Sequence, residues 1–163
     1  IYQISSLAGV TNYLGTKLHH VKVHGALYNM ASEDDQIARL IVRTVSEIDS
    51  NLKIYGPSML RWGDISEELG IEYVSEVFSD RNYNDDLTLV DRKNQDAIIN
   101  ESHLGVEHVM RMVNKNKVKT ITGNLKEIIA QTICIHGDQK NSVSFAKNIS
   151  EELSKINLYE KTF

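Results

Sequence analysis

One cysteine stands among the 163 residues. A lone Cys134 excludes a disulfide framework and a cysteine-based metal site, and suits a reducing compartment. No apolar run approaches the roughly 18 residues that would cross a bilayer. Basic residues are also short: 18 Lys and Arg stand against 22 Asp and Glu, for a net charge of −4, and form no cluster. Nucleic acid is therefore excluded as a partner, because phosphate binding needs clustered Lys and Arg. Neither a Gly-x-x-x-x-Gly-Lys phosphate loop nor a Gly-x-Gly-x-x-Gly fingerprint occurs, so the chain has no nucleotide motif of its own.

What is present is ordinary for a globular protein: 41% hydrophobic and 25% charged residues. This length predicts a single α/β domain over residues 1–163, with one core. The chain opens on Ile1 and runs at once into a helical pattern, so its true amino terminus, with any targeting signal, is expected to lie upstream.

Periodicity predicts the elements. Ile4, Leu7, Ala8 and Leu14 fall near one helical face over Tyr2–Leu14, with Gly15 as the stop. A strand is expected over Leu18–Val23, then a helix capped by Ser32 with Glu33, Asp34 and Asp35 in its first turn. Leu52–Tyr55 reads as a strand, Ser58–Leu69 as a helix ended by Gly70, and Ile71–Val74 as the start of another strand. Ser79–Asn100 is a long polar loop, a length that marks function or mobility. A helix bearing Leu104, Val109, Met112 and Val113 follows, and Val118–Ile129 is ambiguous between strand and helix. Thr132–Ile135 is a strand, and a helix starting near Asn141 closes the chain. Alternating strands and helices imply βαβ units and a parallel sheet, with too few strands for a closed barrel.

Three segments share one plan, an apolar run followed by a knot of polar side chains: Val21-Lys22-Val23-His24-Gly25-Ala26-Leu27-Tyr28-Asn29, Glu76-Val77-Phe78-Ser79-Asp80-Arg81, and Thr132-Ile133-Cys134-Ile135-His136-Gly137-Asp138. The carboxyl ends of strands are where α/β enzymes keep their chemistry, so the three are expected to converge on one cavity. Lys22 and His24, two apart in a strand, point to one face and suit a small anion; a hydrogen-bonded structural imidazole is the competing reading of His24. Glu76, at a strand end, is the general-base candidate. Asp80 and Arg81 read either as substrate contacts or as an ion pair pinning the loop. His136 and Asp138 can bind a metal, orient a water or fix one another's tautomer, with helix capping the alternative for Asp138. Cys134 reads as a buried core thiol. His19, His20, His103 and His108 read as structural or exposed, since adjacent strand residues face opposite ways and at most one of the first pair looks inward.

These same three segments, in this order, resemble the LamB/YcsF family, from about Tyr2 to about Leu153. The resemblance implies an irregular (β/α) barrel, of which this chain would be the carboxyl two thirds, its amino-terminal strands missing. It implies a cytoplasmic subunit of an ATP-dependent 5-oxoprolinase that opens 5-oxo-L-proline to L-glutamate, with ATP as co-substrate and 5-oxoprolinase subunits B and C as partners. A divalent metal and a homo-oligomer are compatible with it, and the isolated fragment is expected to be inactive. Carried onto this sequence, the catalytic set is His24, Glu76, His136 and Asp138, and the substrate-binding set Lys22, Tyr28, Asn29, Asp80, Arg81, Tyr83 and Arg92. Three departures stand out: Val23 and Asp91 occupy family proline positions, and Leu87 occupies a glycine position where a positive φ comes easily. A metal-dependent deacetylase-like hydrolase and a non-catalytic scaffold are the alternatives.

Overall fold

The computed structural model describes residues 1–138 and 142–156. The chain folds as two compact units, Ile1–Glu76 and Val77–Phe163.

The first unit begins with helix α1 (Tyr2–Tyr13), followed by β1 (His20–Val21), α2 (Ala26–Glu33), α3 (Asp35–Ile48), β2 (Lys53–Pro57), α4 (Trp62–Glu68) and β3 (Tyr73–Phe78), which runs across the division. β1 pairs with β2 and β2 with β3, both parallel, in the registers His20↔Lys53 and Pro57↔Glu76. α3 is the most strongly amphipathic helix by sequence, and it buries Ala38, Val42 and Val45 against Leu52, Ile54, Trp62 and Ile65. Each of the valine, leucine and isoleucine side chains among them contributes about 1.5–3 kcal/mol on burial. Trp62 satisfies its indole by donating to the Ala31 carbonyl at 2.9 Å, so the largest core residue leaves no stranded donor.

In the second unit, the 3₁₀ turn Gln95–Ala97 precedes α5 (Ser102–Lys115), β4 (Lys117–Lys119), β5 (Leu125–Glu127), β6 (Thr132–Cys134) and α6 (Ser142–Lys155). β4 and β5 form an antiparallel hairpin with Gly123 at φ 90°, which settles the ambiguous stretch as strand. The sheet order is β1-β2-β3-β6. α5 and α6 pack closely at Gly105, where a β-carbon would collide with the Phe145 ring. The expected α/β class with parallel strands, an incomplete (β/α) barrel series, is the one observed. Among the described residues no helix is long and apolar enough to cross a membrane.

Several expected boundaries move. The first strand shortens to His20–Val21, the two residues that pair with Lys53 and Ile54 of β2. Ala26–Glu33 is helical: Gly25 at φ 64° turns the chain immediately after His24. Ser32 therefore lies in the last turn of α2, its hydroxyl donating to the Tyr28 carbonyl, and the cap of α3 is Asp34, which accepts from the Gln36 and Ile37 amides. α4 starts at Trp62, since Met59 adopts φ 62° and interrupts the expected helix. α1 forms where expected, yet none of its residues is fully buried, and Leu7, Val10, Tyr13 and Leu14 are exposed. With β1 and α3 this helix borders an open groove of about 970 Å³. The start of the closing helix near Asn141 lies outside the described residues.

Candidate active site

In the second unit the carboxyl ends of β3 and β6 are joined by Ser79, whose amide (3.1 Å) and hydroxyl (2.9 Å) both donate to the Cys134 carbonyl. That clamp fixes the next residues on each strand. Asp80, only 3% exposed, meets His136, whose Nδ1 lies 2.9 and 2.8 Å from its two carboxylate oxygens. An ionised carboxylate only accepts, so Nδ1 carries the proton and donates, and the neutral ring's lone pair is placed on Nε2. Phe78 stacks on the imidazole with centroids 5.7 Å apart, closing one face. The His136 side chain keeps 26% of its surface, enough for a water or small molecule to reach it.

The loop after β3 is stitched down rather than loose. Asn82 donates its amide to the Ala97 carbonyl and Ile99 to that of Asp80. Arg81 is buried and donates to the Val90 carbonyl at 2.6 Å; burial, and after it the charge of Arg92, pushes its guanidinium below the usual value. The Tyr83 hydroxyl accepts the Phe78 amide at 2.8 Å, and its ring stacks on His108. Burial, and next Arg111, pushes His108 down to about 4, so it is a neutral core base. Leu87 takes the glycine role directly, at φ 68°, in a turn where Asp86 accepts from the Thr88 amide and hydroxyl.

In the first unit Lys22 and Glu76 form an ion pair at 2.6 Å, with the Glu76 side chain 3% and the Lys22 side chain 23% exposed. The Lys22 ammonium also stands 5.9 Å from the centroid of the Tyr28 ring, within cation–π reach. Tyr28 is buried against Trp62, while Asn29 is exposed on α2. His24 is exposed and lies beyond β1, lining the groove together with Lys22. Tyr73 donates its hydroxyl to the Pro57 carbonyl, and burial, ahead of the Glu76 charge, raises its phenol well above the ordinary range.

Several expected pairings are therefore exchanged. The carboxylate that orients His136 is Asp80, 56 residues earlier in the chain, and not the neighbouring Asp138, which is exposed and stands 3.9 Å from Arg92. Asp80 hydrogen-bonds His136 and Arg81 donates to the Val90 carbonyl, while the Asp80 charge still acts on the Arg81 guanidinium. Lys22 does not share a strand face with His24, because β1 ends at Val21; its partner is Glu76. Cys134 is half-buried rather than a core thiol. Phe78 and Ser79 escaped the reading by residue type, although both stand inside the Glu-Val-Phe-Ser-Asp segment it singled out. Among the described residues no group of three or more His, Cys, Asp or Glu is arranged to hold a metal ion.

A sequence profile of the LamB/YcsF family matches residues 1–162. The chain is 43% identical over 154 residues to the 5-oxoprolinase A subunit of Alkaliphilus metalliredigens (strain QYMF), covering 94% of this chain and 60% of that protein. It is 42% identical over 157 residues to the 5-oxoprolinase A subunit of Haemophilus influenzae (strain PittEE), covering 94% and 63%. A crystal structure of a lactam utilization protein from Thermus thermophilus superposes with a TM-score of 0.87 at 29% identity, over 99% of this chain and 64% of that one. The chain thus spans about three fifths of the length of these curated relatives. Profile, relatives and fold agree: this chain belongs to the LamB/YcsF family.

Proposed function

We propose that the chain carries the base of an ATP-dependent 5-oxoprolinase, within an A-type subunit that works with subunits B and C to open 5-oxo-L-proline to L-glutamate. The observation that carries the reading is the Asp80–His136 dyad, a buried carboxylate gripping one imidazole nitrogen of a partly exposed histidine. Support for the substrate comes from the relatives, named as A subunits of 5-oxoprolinase, and from the solved lactam utilization protein.

A lactam amide is resonance-stabilised and resists water. Phosphorylation of its carbonyl oxygen at the expense of ATP, with the partner subunits, makes the carbon electrophilic. His136 Nε2 then takes a proton from water as the oxygen attacks that carbon, and Asp80 stabilises the imidazolium that forms. The imidazolium returns the proton to the ring nitrogen as the C–N bond breaks, which leaves an acyl phosphate, and a second water then displaces phosphate to give the side-chain carboxylate of L-glutamate. In the first unit, Lys22 is held by Glu76 and borders the groove with His24, a cation of the kind that suits a small carboxylate. Arg81 and Tyr83 make bonds internal to the loop and act by shaping it.

The test is His136→Ala and Asp80→Asn in the full-length protein, assembled with its partner subunits, following glutamate release from 5-oxo-L-proline. Loss of a positioned general base lowers kcat by about 10²- to 10⁴-fold. Either variant retaining turnover within threefold of the unsubstituted enzyme overturns the assignment.

A further inference from the structure

Adjacent residues in a strand point to opposite faces, so a His-His pair is expected to diverge. Here the pair converges. His19 precedes β1 and His20 begins it, and their Nδ1 atoms stand 3.2 Å apart, with the ring planes at 82°. His20 lies flat on Tyr55, centroids 3.9 Å apart and planes 10° apart, while His19 meets the same Tyr55 ring edge-on at 6.3 Å. Tyr55 therefore acts as a backstop that holds both imidazoles in fixed orientations.

Two imidazole nitrogens bound to one tetrahedral ion at about 2.0–2.1 Å each are separated by roughly 3.3 Å, from the bond length and the tetrahedral angle. The gap between these Nδ1 atoms already matches that bite. We propose that His19 and His20 form a two-histidine site for a divalent transition ion of the zinc class, with water completing the coordination.

Without metal, one Nδ1–H donates to the other Nδ1. With metal, that ring carries its proton on Nε2 instead, so both Nδ1 lone pairs face the ion and no net proton is released from neutral rings. Lys22 stands two residues on from His20, while its partner Glu76 lies further off. His20 lies level with Lys53 at the start of β2 and Glu76 level with Pro57 at its end, four residues or roughly 13 Å further along parallel strands. A zinc ion recovered with the purified protein would then be a lodger at the amino-terminal edge of the sheet, and metal content alone would not identify a metal-dependent hydrolase.

The experiment titrates the full chain, stripped with chelator, with Zn²⁺ by calorimetry, and with Co²⁺ by visible absorption. One equivalent is expected to bind, with the intense visible bands of four-coordinate cobalt. His19→Ala and His20→Ala are each expected to weaken binding by about tenfold or more, since even an outer-shell loss costs that much, while His103→Ala leaves it unchanged. Circular dichroism of the variants establishes that they are folded, and a folded His20→Gln variant repeats the test with a polar side chain retained. Stoichiometric binding that persists in a folded His19→Ala/His20→Ala variant, or the absence of one-to-one binding in the unsubstituted chain, overturns the site.

Discussion

Among the described residues each unit buries one carboxylate, and the two are held differently. Glu76 and Asp80 are both 3% exposed and only four positions apart, but Glu76 meets a lysine ammonium and Asp80 an imidazole. A lysine partner gives a fixed pair of full charges, whose worth depends on both staying ionised. An imidazole partner gives a proton-carrying ring whose other nitrogen can accept a proton while the carboxylate compensates. A carboxylate at the same burial holds a full positive charge in one unit and a proton-carrying ring in the other, and the partner decides which.

That contrast is sharpest when the same edit is made in both places. Glu76→Gln removes the charge opposite Lys22 and is expected to cost about 3 kcal/mol, at the low end for breaking a buried pair because Lys22 keeps some solvent. Asp80→Asn keeps an acceptor for Nδ1–H and is expected to cost only about 1 kcal/mol. Urea unfolding of the two variants reads the difference directly. Equal losses would erase the distinction between the two carboxylates.

Acid probes the second unit through a different base. His108 has a folded pKa of about 4 against an ordinary 6.5, so the folded state holds fewer protons than the unfolded one between those values. Stability therefore rises with pH through that window, and its contribution is complete above about 6.5 and lost as pH falls towards 4. The change is on the order of 3 kcal/mol, at 1.36 kcal/mol per pKa unit. Stability measured from pH 7 to 4 is expected to fall more steeply in the unsubstituted chain than in His108→Phe. Parallel slopes would show that carboxylates alone carry the acid response.

The smallest effect concerns the loop that bears the dyad's acid. Leu87 occupies the left-handed region at φ 68°, which costs an L-residue about 1–2 kcal/mol. Leu87→Gly relieves that and gives back part of it in chain entropy, for a net gain of about 0.5–1 kcal/mol. A rise in melting temperature with kcat unaltered is the expected result, and a fall would mean that Leu87 packing outweighs its backbone strain.

Much of this was legible in the residues. Gly15 and Gly70 marked helix stops that are both left-handed, and the apolar spacing of α3 found the main core helix. The segments carrying Glu76, Asp80 and His136 were identified, because strand ends followed by polar knots have a local signature. Pairings had none. Whether His136 turns to Asp138 beside it or to Asp80 far away is set by strand neighbourship, and β6 lies next to β3. Helix α2 was missed because Gly25 does double duty, ending the extended segment and opening a helix within one residue. The convergence of His19 and His20 was hidden for a similar reason, since alternation holds only inside a strand and His19 lies just outside one.

The Ser79 clamp has an evolutionary corollary. Glu76 is tied by its side chain to Lys22 and Asp80 to His136, with Ser79 anchored to Cys134 between them. The number of residues separating the two acids is therefore as constrained as the acids themselves, because inserting or deleting one would turn an anchored side chain to the opposite face. Lineages can respell Val77 with another small apolar letter, but they cannot change the length of the word.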